Sequence, residues 1–471
     1  MKNECNITIN VDVNNRSIPL FQQIAQGIEQ NIAAGILKPG DMLPSSRILA
    51  QHLGVSRKTI VGASELLLSK GLITSQSRIG LFIAPPRKPD ATALAASHED
   101  ARESIRDSIS ITVNDGFPDT RLLPFLEFTR TYRKLFNRAA QWKTLGYNSP
   151  IGYQPFRKAI AAMLRQSRCL SVGDDEVCIV RGSQMALFLV AHAVLRRGDH
   201  VAIESPGYDN AFRAFEAAGL VIHRVDVDAD GICTTQLEQL CKQHCLKAIY
   251  LTPRHQYPTT VKLSTPRRQH ILQLTTAYNL TIIEDDFGAD FQYVDTHLLP
   301  LSSMLQKNRY IYIGTFSKIF APAIRIGYVA SDADTIQRIA SHRQMIDIQG
   351  DTVQEKALCE MLESGVISRH IRRSRKVYRV RLDYASQLID SLLTDKVRYR
   401  RPHGGLALWI AFNFATTEQQ VKAAMQRRGI VIATFTLADG TVGVRIGFAS
   451  MSCTEISCVI NAVASVVGEL G

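Results

Sequence analysis

The chain has 471 residues, 45% of them hydrophobic, and a formal net charge of +12. That length exceeds what one hydrophobic core holds, so two or three domains are expected, and the charge favours a polyanionic partner. Without an apolar run of ~18 residues, and without an apolar centre in its first twenty residues, the chain reads as soluble and cytoplasmic, with no membrane partner.

The first 84 residues read as one unit. In PLFQQIAQGIEQNIAAGIL (19–37), Leu20, Ile24, Ile28 and Ile32 recur at helical intervals, and KPGD supplies turn chemistry after them. SSRILAQHLG (45–54) has a serine to cap a short helix and a glycine to close it, and VSRKTIVGASELLLSKG (55–71) starts a third helix behind Ser56. Two short helices across a Gly-Val turn make a helix-turn-helix; LITSQSRIGLFIAPP (72–86) adds a hairpin with a basic tip, completing a winged helix.

Positive charge concentrates in this segment. Arg57, Lys58 and Thr59 occupy the first turn of the third helix, the part that reaches base edges when such a helix enters the major groove of double-stranded DNA. Ser45, Ser46 and Arg47 open the second helix, where side chains and free backbone N–H groups grip phosphate, and Arg78 sits at the hairpin tip. A solvated helical face is the ordinary fate of such charges, but their recurrence at both helix starts and the tip favours DNA. The stretch LKPGDMLPSSRILAQHLGVSRKTI resembles the DNA-binding segment of GntR-type winged-helix regulators over residues 17–84.

Residues 85–118, with APPRKPD and ATALAASHEDARESIRDS, read as a polar linker. From 119 to 471, EVCIV, HVAIES, LKAIYLTP, LTIIEDD, YIYIGT and IGYVAS are strand candidates alternating with amphipathic helices, which predicts an α/β body on a mostly parallel sheet with its functional groups at the strand ends. Nine scattered cysteines form no spaced framework and are expected as reduced thiols. Cys241 and Cys245 lie near His244 and His255 but match no common zinc pattern, and no metal ligand is assigned.

Lys318, in GTFSKIFAPAIRIGYV, sits between hydroxylated residues and an apolar run. A desolvated lysine loses its proton readily, as an imine-forming amine must. RGSQMAL places the backbone N–H groups of Ser183 and Gln184 at a helix start, where they face an anion; Arg325, Thr315 and Ser317 complete a phosphate cup. LTIIEDDF sends carboxylates off a buried strand, suited to a protonated pyridine nitrogen, and ESPGY presents Tyr208 to stack on a flat ring. Lysine, cup, acid and stacking ring are the requirements of pyridoxal 5′-phosphate. In VGVRIGF a lone arginine, Arg445, needs an anion, either a ligand's carboxylate or one from the protein.

Residues 119–471 resemble the fold-type I aminotransferases, and the whole resembles the MocR branch of GntR regulators. The matching segments are YNSPIG, RGSQMAL, ESPGY, TPRHQYPTT, EDDFGADFQY, GTFSKIFAPAIRIGYV and VGVRIGF. The resemblance implies Lys318 for the internal aldimine, Asp285 for the pyridine nitrogen, Tyr208 for stacking, and Ser183, Gln184 and Arg325 for phosphate. It also implies Arg445 for the carboxylate of an amino-acid ligand. Departures are Phe287 where the family carries tyrosine, Tyr257 where it tends to carry asparagine, and Thr260 where it carries glycine. Phe287 lacks the family's tyrosine hydroxyl, whether Tyr257 replaces that contact is open, and these changes put efficient transamination in doubt more than cofactor binding. The expected function is a homodimeric regulator that binds DNA and senses an amino compound, or the cofactor itself, through Lys318; the alternative is an active aminotransferase with an appended DNA-binding head.

Overall fold

The computed structural model describes residues 20–69, 72–76, 80–84, 111–136, 146–294 and 298–471. The chain divides into two compact units at residues 107/108.

In the first unit, α1 (Leu20–Ala33) buries Ile24 and Ile28 from the predicted stripe and ends earlier than the KPGD turn. Gly35, at φ +72°, turns the chain back so that Ile36 N–H reaches the Asn31 carbonyl. The Ser45 hydroxyl caps α2 (Ser46–His52) by accepting from Ile48 N–H, and Ser56 accepts from Thr59 N–H at 3.2 Å at the start of α3 (Arg57–Ser69). The antiparallel pair β1 (Ile73–Gln76) and β2 (Gly80–Ile83) closes a core that includes Leu49, Ile60, Leu67 and Ile83. This is the expected winged helix; Arg78 lies outside the described residues.

In the second unit, strands β4 (Val177–Val180), β5 (His200–Ser205), β6 (Val221–Asp228), β7 (Gly231–Ile232), β8 (Leu246–Leu251), β9 (Thr281–Asp285), β10 (Tyr310–Thr315) and β11 (Gly327–Ala330) form one sheet in the order β4-β11-β10-β9-β8-β5-β6-β7. All point one way except β7 and β11. Side-chain alternation splits the core: Val201 and Ile283 face helices Gly182–Ala193 and Asp209–Ala217, while Ala202 and Ile282 face helices Thr234–Gln243 and Thr265–Ala277. The six predicted strands are all present. β6 escaped prediction because half of its sequence, VIHRVDVD, is exposed next to the sheet edge.

A second, antiparallel sheet joins β12 (Val397–Tyr399), β13 (Leu408–Phe412), β15 (Ala433–Thr436) and β16 (Val442–Ile446). Helices Val366–Leu392 and Cys453–Leu470 share its core. The latter is long and apolar enough to cross a membrane, but Ile456, Val459, Ile460, Val463 and Val466 are buried against this sheet.

The linker reading needs correction at its end. β3 (Ile111–Thr112) pairs with β14 (Ile430–Val431), and Gly447 N–H donates to the Asn114 carbonyl, so residues 111–118 are a strap of the body. Residues 85–110 lie outside the described residues.

Candidate functional site

The shared direction of β4, β5, β8, β9 and β10 brings their carboxyl ends to one rim, and a cavity of about 440 Å³ lies there. Its lining includes all ten residues expected in the body: Ser183, Gln184, Tyr208, Tyr257, Asp285, Thr315, Ser317, Lys318, Arg325 and Arg445.

Each arrives for a local reason. β10 ends at Thr315, whose hydroxyl accepts from Ser317 N–H at 3.1 Å and starts the turn that carries Lys318 inward. β4 runs into helix Gly182–Ala193, which has no side-chain cap, so its first N–H groups face the cavity. Gly182 sits at φ +76°, and a Cβ there would stand 2.8 Å from Arg325 Nη2, which is how the guanidinium lies against the helix start. Arg325 itself takes φ +47° and donates to the Arg181 carbonyl at 3.1 Å.

The three acids at the end of β9 have different surroundings. Glu284 accepts from Leu301 N–H, Ser302 N–H and the Ser302 hydroxyl. Burial alone would raise Asp286, but the two-pronged Arg254 pair, Arg168 and the Tyr312 hydroxyl outweigh it and hold the carboxyl at about 2. Asp285 receives one hydrogen bond, from Tyr250 Oη at 3.1 Å, and its Oδ1 has no partner. Burial pushes it up to about 7, the Tyr250 bond and Lys318 opposing.

Lys318 Nζ donates to the Gly116 carbonyl at 3.0 Å and stands 4.9 Å from the Phe117 ring centre. Burial, reinforced by Arg445, lowers its pKa. Arg445, 3% exposed, donates to the Asp115 carbonyl at 2.8 Å and the Pro258 carbonyl at 2.6 Å and lies 4.8 Å over the Tyr257 ring. Among the described residues no carboxylate comes within 4.0 Å of it. Burial lowers its pKa too, with Tyr257 and Asp115 opposing. Tyr257 Oη donates to Asp115 Oδ2 at 3.1 Å, and its ring meets Tyr208 edge-on.

In the head, the Nε of Arg57 donates to Ser46 Oγ at 3.1 Å, which ties the starts of α2 and α3 together. Ser45, Arg47, Ser56 and Arg57 are exposed on that side, Ser46 and Thr59 half-buried. The Lys58 side chain lies outside the described residues.

Residues 119–463 match the family described as aminotransferase class I and II, and residues 20–83 match bacterial regulatory proteins of the gntR family. The chain belongs to the aminotransferase class I and II family, with a GntR head fused to it. This is the MocR-type architecture. The chain is 27% identical over 433 residues to the probable rhizopine catabolism regulatory protein MocR of Rhizobium meliloti, covering 88% of this chain and 86% of that protein. It is 30% identical over 387 residues to the HTH-type pyridoxine biosynthesis transcriptional regulator PdxR of Corynebacterium glutamicum, covering 81% of each. Among solved structures, the multiple substrate aminotransferase of Thermococcus profundus superposes with a TM-score of 0.72 at 24% identity, covering 80% of this chain and 96% of that one.

Family membership makes pyridoxal phosphate the cofactor, and the MocR-type cavity fits it. Asp285 Oδ1 and Ser317 Oγ are buried without hydrogen-bond partners, as expected of groups built to meet a ring nitrogen and a phosphate. Arg325, with no carboxylate within 4.0 Å among the described residues, is free for an anion. The departures also have structural correlates. Phe287 lines the cavity without a hydroxyl, and the Tyr257 hydroxyl is committed to Asp115. Thr260 occupies φ +60°, a conformation natural to the family's glycine and strained for a β-branched residue. Asp115, Gly116 and Phe117 were missed because a short polar segment beside a linker carries no periodic signal; their contacts cross hundreds of residues of sequence.

Proposed function

We propose that the chain is a DNA-binding transcriptional regulator whose body responds to an amino compound, or to pyridoxal phosphate itself. Lys318 would hold the cofactor, Asp285 its ring nitrogen, Tyr208 its ring face, and Ser183, Gln184, Thr315, Ser317 and Arg325 its phosphate. When bound, the cofactor supplies an aldehyde carbon that condenses with primary amines. The protein's part is to keep Lys318 desolvated, hold a charge-compensating carboxyl at Asp285, and present Arg445.

The observation that carries the reading is Arg445: a buried guanidinium that faces the lysine's cavity, lies over the Tyr257 ring and hydrogen-bonds to two carbonyls, with no carboxylate within 4.0 Å among the described residues. A ligand carboxylate would give it the direct ion pair that no carboxylate among the described residues makes. Taking one up competes with the Asp115 carbonyl, and an occupied Lys318 gives up the Gly116 carbonyl. Both changes loosen the strap, which continues in sequence toward the head. Such a ligand alters DNA affinity only to the extent that it binds the strap-bound and strap-released states unequally. A homodimer reading two half-sites, in the cytoplasm, completes the proposal.

Arg445→Ala tests it. With duplex DNA selected from a random pool, the variant is expected to take up cofactor and bind DNA as the parent does, while amino acids no longer shift DNA affinity. A full amino-acid response in the variant would refute the role. Phe287 argues against the alternative of an efficient aminotransferase; sustained keto-acid formation from amino donors by the parent would reinstate it.

A further inference from the structure

On the rim opposite the cofactor cavity, at the amino ends of β5 and β6, three imidazoles meet: His200, His223 and His244. Their meeting follows from the fold. His200 shares the alternation of Ala202, and His223 that of Val225, so both lie on the face covered by helix Thr234–Gln243. His244 is the C-cap of that helix, its N–H donating to the Leu240 carbonyl, and the helix end delivers it to the same spot. The register of β5 against β8 shifts between His200 and Val201, a local irregularity at the cluster itself.

The rings form one close group, His200 stacked on His223 and His244 tilted against both. His223 Nε2 and His200 Nδ1 are 2.9 Å apart, the ring centres are 4.4–5.2 Å apart, and one ring nitrogen from each residue lies within 4.8 Å of the others. All three are half-buried, and no ion pair joins any of them to a carboxylate among the described residues. One proton bridges the His223 and His200 nitrogens, and His244 brings a third ring nitrogen to the group.

We propose that His200, His223 and His244 bind a divalent transition-metal ion with imidazole preference, of which Zn²⁺ is the representative, leaving a fourth position for water or an external ligand. Nitrogens at ~2.0–2.1 Å from Zn²⁺ in a tetrahedral site stand about 3.3 Å apart, so the His200–His223 edge is nearly in place and the His244 edges close by side-chain rotation. The ion would fasten β5 and β6 to the end of the covering helix. Being at the amino ends of the strands, it is separated from the cofactor rim by the length of β5, about 17 Å.

The test uses full-length protein freed of metal by chelation and titrated with Zn²⁺ by calorimetry, then with Co²⁺ by visible absorption. One Zn²⁺ per chain is expected, with a tetrahedral Co²⁺ spectrum and a melting temperature that rises with Zn²⁺. His223→Ala should weaken Zn²⁺ binding about 100-fold or more and lose both the spectrum and the thermal shift, while its pyridoxal phosphate uptake matches the parent and shows the body folded. Should that variant fail to fold, His200→Gln is measured in the same way. Absence of stoichiometric binding in the parent, or equal binding in parent and variant, which share all cysteines, would overturn the site.

Discussion

Glu284, Asp285 and Asp286 are consecutive and chemically alike, yet their partners give them three different states. Asp285 alone combines burial with an unpartnered oxygen. Its carboxyl, ordinarily near 3.8, is pushed up to about 7, so in the cofactor-free protein the folded state holds a proton that the unfolded state has released between those values. Folding stability from this group is therefore fully present below about pH 4 and is lost as pH rises to about 7, at up to ~1.4 kcal/mol per pH unit. Glu204, also pushed up to about 7 by burial, adds the same trend. Denaturant unfolding of the cofactor-free protein at pH 5 and pH 7 should show Asp285→Asn with a shallower decline than the parent; equal slopes would contradict the burial argument. The sequence alone offered two carboxylates at a strand end and singled out Asp285 by resemblance. What separates it from Asp286 is Arg254 and Arg168, distant in sequence and brought close only by the fold. Likewise Arg445 was legible as an arginine needing an anion, but its lack of a protein carboxylate could be learned only from the structure.

At the scale of elements, the phosphate end of the cavity depends on the β4-to-helix turn. Gly182→Ala places a side chain in a left-handed conformation and against Arg325, a strain of about 1–3 kcal/mol. Cofactor uptake followed by absorbance should weaken about tenfold or more with the fold intact; unchanged affinity would mean the Arg325 placement is irrelevant. In the head, Arg57 is both a brace to Ser46 and the leading residue of α3. Arg57→Ala is predicted to weaken specific DNA binding by about 1–3 kcal/mol while nonspecific binding changes less. An equal loss on both kinds of DNA would assign Arg57 to phosphate or to bracing. Strands with continuous apolar runs, such as β8 and β10, were legible because both faces are covered. β6 was not, since this strand next to the sheet edge alternates with polar residues, and the strap was not, since its order comes from Lys318, Arg445, β14 and Gly447 and not from local propensity.

For the whole molecule, two units with separate cores give a division of labour: one carries the features of a DNA reader, the other a cavity made for an amine-reactive aldehyde. The winged helix, six strands of the body's sheet and all ten cavity residues trace to short sequence segments, whereas the strand order, the strap and the histidine cluster are products of tertiary folding. The claim on which the rest depends is that Lys318 captures pyridoxal phosphate in this cavity. The most direct measurement is an absorbance titration of the purified, cofactor-free full chain with pyridoxal phosphate, alongside Lys318→Ala. The expected result is saturable uptake of one cofactor per chain, with a near-visible band that is shifted from that of free aldehyde and absent from the variant. A parent protein that shows no shifted band at saturating cofactor, or a variant that shows the same band, would contradict the claim.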